Sequence, residues 1–231
     1  TIKSFQELID KKVKVIFTVD CGTLSYDAIN FAKDNKVDVI VLDHHQSEVK
    51  LPNAFSVVNP NRLDDKSNLQ YLCAAGVSFM FLVSLNRELR NRKWFNKNNI
   101  KEPNLIDYID LVSLGTVCDV VPLIGLNRAI VKQGLKVLKS KKNLGIKTLF
   151  DICKIEASPS VYHLGYLLGP RINAGGRVGK CSHGANLLLN KDPKYSFKLA
   201  SELDQYNKER QMLEKDLLNK ILSVSKDYLK D

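Results

Sequence analysis

The spacing of apolar positions changes several times along the chain, and each change predicts an element. Ile2, Phe5, Leu8 and Ile9 recur at helical intervals through residues 1–12. Residues 14–20 then form a short run rich in Val, Ile and Phe, the pattern of a buried strand. Ser25 is placed to cap a helix over residues 26–35 that buries Ala28, Ile29 and Ala32. Val37 to Leu42 repeats the strand pattern at once. The order α-β-α-β, with helical crossovers, predicts an α/β fold built on a parallel β-sheet flanked by helices. Both strands run into an aspartate, Asp20 and Asp43.

Beyond residue 45 a further short strand is expected over 54–58, then a turn cluster at Asn59-Pro60-Asn61-Arg62. Residues 72–89 read as a helix whose small residues Ala74, Ala75 and Gly76 imply close packing against a neighbour. Helices are also expected over 104–117, 128–138 and 145–155. From residue 192 to 231 one long helix is predicted, with apolar positions at Leu199, Leu203, Tyr206, Leu213, Leu217 and Ile221 interrupted by Arg210. At 1.5 Å per residue it would span about 60 Å, longer than a small domain is wide. A connector towards another domain or a coiled-coil arm would explain that length, and Arg210 disfavours the coiled coil. The expected division is therefore a catalytic lobe over 1–190 and a connector helix over 191–231.

Composition narrows the partners. Lys and Arg number 35 against 25 Asp and Glu, a formal net charge of +10 in 231 residues, which favours a polyanionic partner. Cys21, Cys73, Cys118, Cys153 and Cys181 are scattered and form no C-x-x-C pair. They read as reduced, mostly buried thiols of a cytoplasmic protein. No apolar run approaches the ~20 residues of a membrane helix. Arg87, Arg90, Arg92 and Lys93 lie beside Trp94 and Phe95, a mixture that suits single-stranded nucleic acid. A solvated helix end with its aromatics folded back is the preferred reading there. Lys132, Lys136, Lys139, Lys141, Lys142 and Lys147 are likewise read mainly as a solvated face.

Candidate chemistry gathers where strands end. Ligands of open α/β sheets bind outside the carboxyl ends of the strands, and there Asp43 is followed by His44 and His45. Asp119 stands in an otherwise apolar run; a buried carboxylate is expensive unless a cation or donors meet it. Mixed carboxylates and imidazoles suit Mn²⁺ or Mg²⁺, and a carboxylate shared by two such ions suits in-line attack on phosphorus. Residues 169–179 are dense in glycine and include Arg171, Asn173 and Arg177. Glycines let backbone N–H groups approach an anion, and arginine can grip a phosphate.

Four stretches occur in an order that resembles the DHH phosphoesterases: residues 18–23 (TVDCGT), 42–45 (LDHH), 113–123 (SLGTVCDVVPL) and 169–177 (GPRINAGGR). They look like the RecJ branch, the single-strand-specific 5′→3′ DNA exonucleases, as do residues 59–62, 72–76 and 207–211. The resemblance implies that Asp20 bridges two metal ions and that His44 and Asp119 ligate one of them. It implies that His45 touches the scissile phosphate and Asp43 orients the imidazoles. Asn173, Arg177 and Arg171 resemble substrate-phosphate contacts. It further implies Mn²⁺ or Mg²⁺ as cofactor, single-stranded DNA as substrate in DNA repair and recombination, and a single-strand-binding protein or a helicase as protein partner.

The sequence departs from that pattern in places. The family's first motif, Asp-x-Asp, is absent before Asp20, as are a second core lobe and a nucleic-acid-binding β-barrel. Gly175 and Cys118 stand where alanine is usual. A fragment with little or no exonuclease activity of its own is therefore expected. Two alternatives stay open: a DHH phosphodiesterase of short oligonucleotides or cyclic dinucleotides, and a non-catalytic remnant that binds single strands or a partner protein.

Overall fold

A computed structural model describes residues 1–228, without the side chains of 224–228. The chain forms two compact units, Thr1–Gly134 and a second beginning at Leu135.

In the first unit, α1 (Ile2–Asp10), β1 (Val15–Val19), α2 (Tyr26–Asp34) and β2 (Asp38–Leu42) follow the predicted order, and β3 (Ser56–Val58) completes the sheet. All pairs are parallel in the order β1-β2-β3, with Val19 opposite Leu42 and Leu42 opposite Val58. The register brings the three strands to one level at their carboxyl ends. One face packs on α1 and α2 through Phe5, Ile16, Ile29, Val39 and Val41. Fully burying Ile29 or Val41 contributes about 2 kcal/mol each. Ser25 occupies the N-cap of α2 but makes no side-chain cap bond.

β1 differs from its expected burial. Val15, Phe17 and Val19 are about half exposed, and only alternate residues point into the core. The strand lies at the edge of the described sheet, and Phe81 covers its second face in part, edge-on to Phe17 at 5.9 Å between ring centres.

The helices α3 (Ala74–Asn91), α4 (Trp94–Lys97), α5 (Ile109–Cys118) and α6 (Gly125–Leu138) follow, with a 3₁₀ turn at Leu105–Tyr108 where the sequence predicts continuous helix. The small residues of α3 serve the predicted close contact: a Cβ on Gly115 of α5 would lie 2.7 Å from that of Ala75. Phe95 is folded into the protein, while Arg90 pairs with Glu102 and Arg92 with Glu88.

The second unit holds α7 (Leu144–Ile152), a π-helical turn (His163–Leu168), α8 (Gly169–Arg177), α9 (Ser182–Leu189) and α10 (Pro193–Tyr228). Leu199, Ala200 and Leu203 of α10 are buried against α7, α8 and α9. Beyond Arg210 the helix is exposed through Ser223. The predicted helix reaches 231; its last three residues lie outside the described ones.

The glycine-rich stretch is not an open cradle. It is α8, continuous with the π-turn, and its backbone amides are committed to helical bonding. The thiols also depart from expectation. None of the five forms a disulfide, but Cys21, Cys118 and Cys181 are exposed and only Cys73 is buried. Among the described residues no helix is long and apolar enough to cross a membrane.

Candidate active site

Asp20 and Asp43 are the first residues beyond β1 and β2. The Asp20 amide donates to Leu42 O and the Asp43 amide to Val58 O, so both aspartates continue the sheet ladder by one bond. Asp20 has φ +61°, a conformation aspartate tolerates better than most residues. Gly22, at φ +118°, turns the chain back; a Cβ there would sit 2.4 Å from Thr18 Oγ1. That turn presents the Thr23 amide to Asp43.

Asp43 is almost fully buried and organises the site. Its Oδ1 accepts from the His44 amide (2.8 Å), the His45 amide (3.3 Å) and His45 Nδ1 (2.7 Å), and its Oδ2 accepts from the Thr23 amide (3.0 Å). Burial alone would push this carboxyl up. The hydrogen bonds from Thr23, His45 and His44 win and hold it well below the usual carboxylate range. The same contact raises the His45 imidazole against the lowering effect of burial, with the charges of Asp43, Asp20 and Asp119 adding to the rise.

Two further residues fix the backbone of the histidine pair. Asn59 Nδ2 donates to Thr23 Oγ1 and to His45 O, both at 2.9 Å. Asn61 Nδ2 donates to His44 O at 2.5 Å, and the Asn61 amide donates to Asn59 Oδ1 at 2.8 Å. The spacing of residue types marks this stretch only as a turn, although it is among those that resemble the RecJ branch. The available signal is two asparagines flanking a proline at the carboxyl end of a third strand, level with the two acids.

His44 lies between two carboxylates. Its Nε2 is 3.2 Å from Asp20 Oδ1 and 3.5 Å from Asp119 Oδ2. Asp119 caps the carboxyl end of α5, where the helix dipole adds negative potential. Burial raises the Asp119 carboxyl and the Asp20 charge adds to this, while His44 and His45 oppose it. The next residue, Val120, has φ +58° although it is β-branched and 88% exposed. Strain of this kind collects at functional sites.

Asp20, His44 and His45 form a group spaced to hold a divalent cation, while among the described residues Asp119 approaches that group through His44 alone. Two atoms bound to one ion at about 2.1 Å lie at most about 4.2 Å apart, and both His44 distances fall inside that limit. Ligand atoms of Asp20, His44 and His45 also lie within 4.8 Å of one another. Asp43 stays outside the donor set, because its oxygens are occupied by amides and by His45. The sequence-chosen residues Asp20, Asp43, His44, His45 and Asp119 are thus brought together.

The remaining candidates belong to the second unit. Arg171 is half buried, donating to Asp204 Oδ1 and to Leu167 O, each at 2.8 Å. Asn173 and Arg177 are exposed on α8.

Comparison with known proteins gives the family of the chain as a whole. The model of the DHH family, N-terminal domain, matches residues 2–116, and the chain belongs to the DHH family. Within it, the chain is similar to the single-stranded-DNA-specific exonuclease RecJ. It is 40% identical to that of Salmonella typhimurium over 206 residues, covering 88% of this chain and 36% of the relative. Against RecJ of Escherichia coli it is 38% identical, covering 91% and 37%. It therefore spans little more than a third of the length of these relatives. Among solved structures, exonuclease RecJ bound to manganese matches with a TM-score of 0.81 at 30% identity, covering 96% of this chain and 54% of that one. RecJ of Thermus thermophilus with Mn²⁺ gives 0.80 at 30% identity, covering 96% and 32%. The Thermus protein with Mg²⁺ gives 0.66 at 30% identity, covering 91% and 28%.

Proposed function

We propose that this chain carries the catalytic lobe of a RecJ-type, metal-dependent phosphodiesterase that removes nucleotides from single-stranded DNA in the 5′→3′ direction, in DNA repair and recombination. The observation that carries the proposal is His44 Nε2 between Asp20 and Asp119, beside a His45 oriented by buried Asp43. Asp20, His44 and Asp119 are the residues that would hold Mn²⁺ or Mg²⁺. Held by these residues, such an ion would supply Lewis acidity to a phosphate and lower the pKa of a bound water.

The other groups have separate tasks. Asp43 takes the Nδ1 proton of His45 as a hydrogen bond, which fixes the tautomer and leaves Nε2 to face a phosphate oxygen. The raised His45 imidazole carries its proton to higher pH, so it can donate to that oxygen as negative charge shifts towards it. Asn59 and Asn61 keep the two histidine backbones from relaxing. Asn173 and Arg177 are proposed to bind strand phosphates, and Arg171 to position their helix through Asp204. Little turnover is proposed for these 231 residues by themselves. Cysteines outside any disulfide are compatible with a cytoplasmic setting; a single-strand-binding protein or a helicase is the proposed protein partner.

The test is Mn²⁺-dependent capture of single-stranded DNA. The chain should bind a 5′-phosphorylated oligonucleotide more tightly with Mn²⁺ than with EDTA, and His44→Ala should remove the difference. Equal binding with and without Mn²⁺ would count against the proposal.

A further inference from the structure

The chain's exposed tyrosines show an order that catalysis at the strand ends does not require. Tyr162 and Tyr166 are 59% and 72% exposed, yet their rings are stacked, 5.2 Å between centres and 23° from parallel. Four residues apart on one helical face, the two rings meet and shield apolar surface from water by stacking. The π-turn His163–Leu168 lies within one continuous helical run from Val161 to Arg177. Turns of this kind occur often at functional sites.

The pair is also supported from behind. His163 meets Tyr162 edge-on at 6.0 Å and Phe150 at 6.2 Å. The Ser160 amide donates to His163 Nδ1 at 3.1 Å, which fixes the imidazole. The tyrosines therefore project from a rigid base.

The sides of the run are sharply divided. Leu164, Leu168 and Ala174 are buried. The exposed positions are Val161, Tyr162, Tyr166, Asn173, Gly176 and Arg177. From Tyr166 to Arg177 is about 16 Å of helix, the reach of a few nucleotides. One exposed stripe thus has flat aromatic surface at one end and an amide and a guanidinium at the other.

We infer that Tyr162 and Tyr166 form a stacking platform for unpaired bases of a single strand whose phosphates meet Asn173 and Arg177. This rests on the reading of the chain as a single-strand phosphodiesterase, and extends it to base contacts. Every base has an aromatic face, so such a platform accepts any sequence. A duplex keeps those faces inside its own stack and cannot use the platform.

The test uses the 231-residue chain, without Mn²⁺ or Mg²⁺, and a fluorescein-labelled oligo(dT) read by anisotropy. Tyr162→Ala/Tyr166→Ala should weaken binding about 5- to 100-fold, while Tyr166→Phe, which keeps the ring, should bind like wild type. A second strand of the same charge, with abasic sites, should bind wild type as weakly as oligo(dT) binds the double variant. It should not separate wild type from that variant. Circular dichroism melts check folding, which these exposed side chains should not alter. Wild-type affinity in the double variant would overturn the platform and leave the phosphodiesterase reading standing. Equal binding of abasic and normal strands by wild type would do the same. Failure of wild type to bind either strand would also overturn the platform, and the phosphodiesterase reading would still be decided by the Mn²⁺-dependent capture above.

Discussion

His45 Nδ1 and Asp43 Oδ1 lie 2.7 Å apart, and the carboxylate in that pair is almost fully buried while the imidazole is 59% exposed. The buried partner fixes the ring and the exposed partner faces solvent. Asp43→Ala would leave the Thr23, His44 and His45 donors without their acceptor. A loss of about 3 kcal/mol in urea unfolding is expected, with a fall in the His45 titration midpoint by NMR. An unchanged His45 midpoint would deny the coupling.

The pH dependence has opposite signs for the two partners. Asp43 is depressed in the folded state, so its contribution is complete above about pH 4, the ordinary carboxylate value, and is lost as pH falls through the depressed one. His45 is raised, so its contribution is complete below about pH 6.5 and is lost as pH rises through the raised value. The melting-temperature advantage of wild type over Asp43→Asn, measured without metal, should therefore shrink towards about pH 3 and also decline on the alkaline side.

Two backbone substitutions should act in opposite directions. Gly22→Ala places a Cβ against Thr18 Oγ1 at a φ of +118°, so a loss above about 1 kcal/mol is expected. Val120→Gly removes a strained β-branched residue whose side chain is 88% exposed, so a gain of about 1 kcal/mol is expected. Chemical denaturation of both variants checks the signs.

The two arginines of α8 should separate cleanly. Asp204→Asn removes the charge that holds half-buried Arg171, with an expected loss of about 2 kcal/mol in stability. Arg177→Ala should leave stability unchanged but weaken oligonucleotide binding and lower its salt slope by about 1. A stability loss on Arg177→Ala, with binding intact, would reverse the two roles.

Much of the site is legible in the sequence because strand ends are local. A short Val- and Ile-rich run followed by an acid places Asp20, Asp43 and the histidines at one sheet edge without knowledge of long-range contacts. The approach of Asp119 is different in kind. Its isolation in an apolar run suggests a buried acid that needs a cation or donors, whereas the fold leaves Asp119 exposed at the end of α5 and places His44 beside it. Helix α8 escapes the pattern because its glycines suggest a loop, whereas packing against α10 and the preceding π-turn override their weak helix propensity. The exposure of β1 is hidden by a composition that belongs to a two-sided buried strand. Asn59 and Asn61 look like turn residues because their bonds to His45 and His44 cross 14 and 17 positions of sequence.

Whether Asp20, His44 and Asp119 hold a divalent ion can be read from Mn²⁺ titration followed by electron paramagnetic resonance. The free-ion signal should report one site per chain, weakened at least about 10-fold in both His44→Ala and Asp119→Asn. Asp64→Asn, a change at an exposed acid outside the site, should have no effect. Undiminished Mn²⁺ binding by His44→Ala and Asp119→Asn would contradict the assignment.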